Sequence, residues 1–401
     1  MTFSLSKKLD VVLPSPTLAI TRKAAEMRAQ GLDIISLSQG EPDFDTPVHI
    51  RDAAKAALDA GATRYTTVDG TPELKQAIIA KFQRENHLTY LPEQISVGTG
   101  GKQILFNAFM ASLNEGDEVI IPAPYWVSYP DMVRLAGGTP VPVPCPERNA
   151  FKLSPAQLRA AITPRTKWLI LNSPSNPAGS AYSAGELAEL ARVLLDFPDI
   201  YVMTDEIYEH IHYDGWEPCS IAAVEPRLLS RTLTCNGVSK AFAMTGWRIG
   251  YGGGPAPLIR AMATIQSQST SNPNSIAQAA SVAALDGPMD FLPERNAIFK
   301  HRRDMAAGIF NSTPGLSCRF PEGAFYLFPS CAGLIGKRTP KGKVLESDTD
   351  VAGFLLEDAM VAVVPGAAFG LSPFFRISFA TATERLEAAC ERIRDACRRL
   401  R

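Results

Sequence analysis

The feature that most constrains this chain is an alternation, from about residue 50 to 290, of short apolar runs with segments of helical period. Val119-Ile120-Ile121 is a strand candidate, and so are the runs 167–171, 201–204 and 232–235. Between them, 104–113 and 186–195 carry apolar residues at the spacing of one helix face. Strands apolar on both faces, each followed by a helix, predict an α/β fold with a mostly parallel sheet flanked by helices. Such sheets gather ligands at the carboxyl ends of their strands. Polar residues at strand ends are therefore the ones to inspect for chemistry.

The two ends of the chain read differently. The first 45 or so residues are Pro-rich with one helix predicted over 18–28. Beyond about 290 a charged helix is predicted over 294–310, then strand-like pieces and a final helix from Thr383. We expect an N-terminal arm over 1–46 that contributes to a small domain, a large domain over 47–290, and a smaller α+β domain over 291–401. The Gly-, Lys- and Pro-rich stretch 333–347 is expected to be a surface loop. Forty Lys and Arg against 41 Asp and Glu leave a formal charge of −1, which predicts neither nucleic acid nor a membrane surface as partner. No uncharged apolar run reaches the roughly 20 residues of a membrane span. The N-terminus has charges and prolines where a secretory signal needs an apolar run. Seven scattered cysteines without a Cys-x-x-Cys pair suggest neither zinc nor disulfides, and point to a cytoplasmic setting.

Three familiar motifs fail. Gly101-Lys102 suggests a nucleotide-binding P-loop, but Ser96 stands where a glycine is needed and Gln103 where Ser or Thr is needed. The glycines near 98–101 and 250–254 do not spell the dinucleotide fingerprint, which disfavours a nicotinamide dehydrogenase. Asp205, Glu206, His210 and His212 are close in sequence but match no metal signature, so no metal is expected, and both histidines are read as surface or partly buried polar groups.

One constellation succeeds. Lys240, in SKAFAMTGWR, follows a predicted strand; upstream lie NSPSNPAG (172–179) and TDEIY (204–208), each again at a strand end. A lone lysine there is ordinarily solvated, Asp205 alone would be a helix cap, and Asn-Pro turns and core tyrosines are common. Together and in this order they resemble the class I aminotransferases of the fold-type I pyridoxal-phosphate enzymes, most closely the prokaryotic-type aspartate and aspartate/prephenate group. The resemblance runs from LSQGEPDFDTP (37–47) to FFRISFATA (374–382).

That resemblance implies pyridoxal 5′-phosphate as cofactor and a role for each matching residue. Lys240 would hold the cofactor aldehyde, then act as base and acid at the substrate Cα. Asp205 would keep the pyridine nitrogen protonated, and Asn176 and Tyr208 would donate to the ring oxygen. Trp126 would stack on the ring. Gly100, Gly101 and Lys102, opening a helix, would cradle the phosphate with Ser239 and Arg248. Tyr65 would reach that phosphate from a neighbouring subunit, so a homodimer with composite active sites is implied. Arg376 would clamp the substrate α-carboxylate and Gly40 would let the backbone approach it; the apolar flanks of Arg376 argue against a surface ion pair. Ala178 departs from the Thr of many relatives, and Gly237 from the phosphate-binding Ser of some.

The substrates implied are small amino acids and 2-oxo acids. No arginine occurs over 266–280, where one aspartate-using subgroup places a partner-subunit arginine. Lys102, Ser15 and Thr17 instead match the residues that meet the distal carboxylate in the prokaryotic-type subgroup. The expected reaction is ping-pong transfer from L-aspartate to 2-oxoglutarate, with prephenate or aromatic substrates also accepted. The alternatives are an aminotransferase of aromatic or alanine-like specificity, or a lyase on the same fold. A cofactor-binding regulator is disfavoured because the N-terminus lacks a basic DNA-binding module.

Overall fold

Apolar strands buried on both faces must lie inside a sheet, and all four predicted ones do. In the computed structural model, which describes residues 4–12 and 16–401, twelve strands are seen. They are β1 (Ile35–Ser36), β2 (Ile95–Gly98), β3 (Glu118–Ala123), β4 (Thr139–Pro144), β5 (Thr166–Asn172) and β6 (Tyr201–Asp205). The chain continues with β7 (Thr232–Gly237), β8 (Gly250–Gly253), β9 (Tyr326–Leu327), β10 (Val361–Ala362), β11 (Val364–Pro365) and β12 (Phe375–Ser378). Seven form one sheet in the order β2-β8-β7-β6-β5-β3-β4, in which β8 alone runs against its neighbours. β8 is Gly-Tyr-Gly-Gly, with no apolar run for a sequence pattern to detect.

The helices that cover this sheet start where the sequence caps them. Ser183 accepts from the Glu186 backbone N–H while the Glu186 carboxylate accepts from that of Ser183, opening Ala184–Leu195. Thr71 with Pro72 opens Pro72–Asn86 in the same spirit. Gly101–Ser112, by contrast, begins on Gly100 at φ 85 with no side-chain cap. Apolar clusters fill both faces of the sheet, with Ile104, Phe109 and Trp168 on one side and Leu169, Leu190 and Val202 on another.

The remaining strands form two small sheets. β1 pairs in parallel with β10, so residues 35 and 36 join a layer otherwise made from the C-terminal third. β11, β12 and β9 form an antiparallel sheet. The helices Phe291–Asn311, Asp348–Asp358 and Thr383–Arg398 pack there, the last through Leu386, Ala389, Cys390, Ile393 and Cys397 at helical spacing. Residues 333–347 are mostly exposed, although Leu334 and Leu345 are buried. Among the described residues no helix is long and apolar enough to cross a membrane.

Behind the carboxyl ends of β6 and β7 lies a buried ionic network that the sequence did not announce. Lys81, fully buried on Pro72–Asn86, donates to Glu209 and, at 2.6 Å, to Asn86 Oδ1. Asn86 and Asn236 in turn donate to Glu209 at 2.7 and 2.6 Å, and Asn236 Oδ1 accepts from the Gly237 backbone. His210 bonds Glu85 at 2.8 Å. Glu85, Glu209 and His210 converge within 4.8 Å, a spacing a metal ion could use, but the Lys81 ammonium already supplies the positive charge beside Glu209. Breaking such a pair from one side strands a buried carboxylate. Lys81→Met is expected to cost about 3–5 kcal/mol of stability, whereas Lys55→Met, which loses only an exposed pair with Asp52, should cost less than about 1 kcal/mol. Urea unfolding of both variants checks this, and equal midpoints would refute it.

Candidate active site

The strand order brings the predicted residues together by register. Asn172, Asp205 and Cys235 are lateral neighbours at the ends of β5, β6 and β7. Lys240 follows β7 by three residues, and Tyr208 follows β6 by the same number. These ends open into a cavity of about 680 Å³. Gly40, Gly101, Lys102, Trp126 and Asn176 line it, as do Asp205, Tyr208, Ser239, Lys240, Arg248 and Arg376. Gly100 sits just behind, where a Cβ would overlap the Arg248 guanidinium.

Two of the charges in this cavity, Asp205 and Arg376, are buried and of opposite sign, and neither forms a salt bridge among the described residues. Asp205 is buried and makes no salt bridge among the described residues; its carboxylate accepts from Tyr129 Oη at 2.7 Å and from the Ile207 backbone. Burial pushes its pKa up, with Tyr129 pulling the other way. Arg376 is buried too, donating to Asn176 Oδ1 at 2.9 Å and to the Ser38 carbonyl at 2.6 Å, while its Nε is left without a partner. Its guanidinium lies against Tyr326 and Phe369, 4.7 and 5.0 Å from the ring centres. No carboxylate pairs with it among the described residues. A cavity offering a lone carboxylate at one point and a lone guanidinium at another fits a cationic ring nitrogen and a carboxylate brought in from outside.

Lys240 lies among these groups. Its Nζ donates to the Gly40 carbonyl at 2.7 Å, and burial pulls its pKa down to about 8, with the charges of Arg376 and Arg248 adding to this and Glu41 and Asp205 opposing it. About a tenth of the amine is thus neutral at pH 7, far more than for an ordinary lysine, and a nucleophile or base needs that form. At the other end, the uncapped N-terminus of Gly101–Ser112 meets Arg248 and Lys102, and a Cβ at Gly250 would overlap the Gly100-Gly101 backbone. Partial desolvation and then the nearby Arg248 lower the Lys102 pKa; its Nζ sits 4.8 Å above the Trp126 ring. This corner has the donors and positive charge that a phosphate needs. The residues present therefore fit a phosphorylated pyridine cofactor.

The remaining expectations meet the structure in different ways. Tyr65 is 91 % exposed and does not line the cavity of its own chain. Ser15 lies outside the described residues, and so does the side chain of Thr17, whose backbone is in the helix Pro16–Ala29. Gly40 needs a different explanation from substrate approach alone, because a Cβ there would overlap the Tyr326 hydroxyl. At Gly237 a Cβ would stand 3.0 Å from both Ile207 Cδ1 and the Ile249 carbonyl, so packing accounts for the missing serine. Ala178 is buried in an aromatic cluster with Phe151, Phe328 and Phe374.

Sequence reasoning missed Tyr129, Asn172 and Tyr326. Asn172 was within reach: it opens the NSPSNPAG run, accepts from the Asn176 backbone N–H and donates to the Asp205 carbonyl, both at 2.8 Å. Tyr129 lies in APYWVSYP, three residues after Trp126, but nothing in that run distinguishes it from a core aromatic. Tyr326 lies on a two-residue strand with no motif around it.

Comparison with known proteins agrees with this geometry. The family model of class I and II aminotransferases matches residues 32–393. The chain is 60 % identical, over 96 % of each sequence, to the aspartate/prephenate aminotransferase of Cereibacter sphaeroides. It is 57 % identical, over 97 % of each, to an aspartate aminotransferase of Rhizobium meliloti. Its fold matches the crystal structure of a Rhizobium meliloti aspartate aminotransferase with a TM-score of 0.98 at 56 % identity, covering 100 % of both chains. It also matches the Thermus thermophilus aspartate aminotransferase with maleate at a TM-score of 0.91 and 44 % identity, covering 98 % of this chain and 100 % of that one. The fold is that of the fold-type I transferases, and the chain belongs to the class I and II aminotransferases, enzymes that work with pyridoxal phosphate.

Proposed function

We propose that this chain is an L-aspartate:2-oxoglutarate aminotransferase that uses pyridoxal 5′-phosphate in a ping-pong cycle and also accepts prephenate or aromatic substrates. The observation that carries the reading is the buried, carboxylate-free Arg376 in the same cavity as the partly neutral Lys240 amine. The printed names of its relatives support the substrate.

When bound, the cofactor supplies an aldehyde and a protonated ring that stabilises negative charge at the substrate Cα. In this proposal Asp205 keeps the ring nitrogen protonated, with Tyr129 orienting its carboxylate. Asn176 and Tyr208 donate to the ring oxygen, and Trp126 covers the ring face. Gly100, Gly101, Ser239 and Arg248 hold the phosphate. Arg376 binds the α-carboxylate as a planar fork and so fixes Cα next to Lys240. Lys240 Nζ would take the proton from Cα and return it to the carbon that the cofactor aldehyde supplies. Lys102, with Ser15 and Thr17, meets the distal carboxylate.

The assembly proposed is a homodimer in the cytoplasm, with Tyr65 reaching the partner's phosphate site; its 91 % exposure favours that role over one in its own chain. The division into an arm over 1–46, a large domain over 47–290 and a small domain over 291–401 belongs to the same proposal, with the separate small sheets in its favour.

Three outcomes test it. Lys240→Ala should leave cofactor binding largely intact but remove the Schiff-base band, and lower turnover by roughly a thousandfold or more; wild-type turnover in that variant would refute the assignment. Because only the neutral amine captures an aldehyde, cofactor uptake by the cofactor-free protein should accelerate with pH around a midpoint near 8 rather than at the ordinary lysine value of 10.5. Stopped-flow absorbance measures this, and a rate unchanged from about pH 7 to about pH 9 would contradict it. Lys102→Ala should raise KM for aspartate roughly tenfold or more, as loss of a charged hydrogen bond does, but change KM for alanine little. Equal effects in steady-state assays would remove Lys102 from the substrate site.

A further inference from the structure

We infer that Tyr326 is a positioning residue of this site: its hydroxyl donates to Tyr208 and thereby turns the Tyr208 proton into the cavity. The inference rests on the role proposed above for Tyr208. Tyr326 sits on β9, 1 % exposed, with its hydroxyl oxygen 2.7 Å from that of Tyr208. Two hydroxyls at that distance share one hydrogen, so one of them donates and the other keeps its proton for a different acceptor. The proposed role of Tyr208 decides which: its one hydrogen goes to the ring oxygen, so the neighbouring hydroxyl of Tyr326 is the donor between them. The Arg376 guanidinium, 4.7 Å from the centre of the Tyr326 ring, favours this by making that hydroxyl the better donor. The Tyr208 O–H is then left facing the cavity that both residues line.

The Tyr326 hydroxyl has a second contact. A Cβ on residue 40 would overlap its oxygen, while the ring atoms Cζ and Cε1 would stand at 3.2 and 3.4 Å from that Cβ. The hydroxyl is therefore seated between Gly40, from the segment after β1, and Tyr208, from the turn after β6. It joins three distant parts of the chain at the point where Lys240 also reaches the Gly40 carbonyl. Gly40 is glycine to admit this hydroxyl.

The test uses the enzyme loaded with pyridoxal phosphate. Tyr326→Phe keeps the ring under Arg376 and removes only the hydroxyl. A ring oxygen less well satisfied by Tyr208 holds its neighbouring proton more tightly, so the pH midpoint of the visible band should move up by roughly half a unit or more. kcat should fall roughly tenfold with KM for aspartate changed less than about twofold, the pattern of a group that acts beyond ground-state binding. A merely structural tyrosine would not move the band. Gly40→Ala adds a second readout, taken as the thermal midpoint of the cofactor-free chain. It should be strongly destabilising with Tyr326 in place and partly rescued in Gly40→Ala/Tyr326→Phe, where only the 3.2 and 3.4 Å ring contacts remain. A band and kcat unchanged by Tyr326→Phe, or no rescue in the double variant, would overturn the inference. A wild-type protein that shows no visible band would instead overturn the aminotransferase reading, and the Tyr208 direction with it.

Discussion

An unpaired charge inside a protein is tolerable only while something keeps it from finding the wrong partner. Among the charges around the cavity, two buried ones of opposite sign form no salt bridge among the described residues, the Asp205 carboxylate and the Arg376 guanidinium. They are kept apart by being built on different sheets. Asp205 ends β6 in the seven-stranded sheet, steadied by Tyr129 and the Ile207 backbone. Arg376 belongs to β12 in the small antiparallel sheet, steadied by Asn176, the Ser38 carbonyl and two aromatic faces. What either lacks must be brought by a bound molecule, so the two-sheet architecture is itself a statement about ligand polarity: a cation toward β6 and an anion toward β12.

The contrast with the network under the same turns is instructive. Lys81 and Glu209 are as buried as Asp205 and Arg376, yet they are ion-paired with each other, and Asn86 and Asn236 donate to Glu209 as well. Glu209 follows Tyr208 in sequence, and Asn236 holds the backbone of Gly237 ahead of Lys240. A satisfied network of this kind stiffens the backbone it touches. Two turns that carry reactive groups therefore stand on an ion-paired base, while Asp205 and Arg376 facing the cavity are hydrogen-bonded but form no salt bridge among the described residues. Glu206, with its pKa pushed up to about 8 by burial and by Glu209, adds no fixed charge to that base at neutral pH.

How much of this was legible follows from the range of the signals. Period and strand ends carried the parallel strands, the flanking helices, and with them Lys240, Asp205 and Asn176, because each sits within a few residues of the apolar run that announces it. Resemblance then placed Arg376, on a four-residue strand that periodicity alone would not have singled out. What escaped depends on contacts between segments far apart in the chain. β8 is a glycine strand in which Gly250 lets Gly100 and Gly101 approach, while Gly252 and Gly253 make room for Ile104 and Tyr90. Tyr129, Tyr326 and Lys81 look like ordinary core aromatics or a surface lysine until the elements are packed. Gly40 lines the cavity, but the residue that forbids a side chain there lies 286 positions later, at Tyr326, beyond the reach of any local pattern.

The proposed substrate breadth has a physical basis in the choice of Lys102. An arginine at the distal end would present a planar fork that a carboxylate must satisfy, and would reject a substrate without one by leaving buried donors unpaired. A lysine ammonium is a compact charge on a flexible stem with three rotatable donors. Lys102 remains exposed at the cavity mouth, its Nζ resting 4.8 Å above the Trp126 ring. It can meet an acidic side chain, or stay on the indole face and in water while an aromatic one enters. Recognition of the α-carboxylate by the buried Arg376 is then strict, and recognition of the side chain by Lys102 permissive. One cavity can in this way accept both acidic and aromatic substrates without a change of fold.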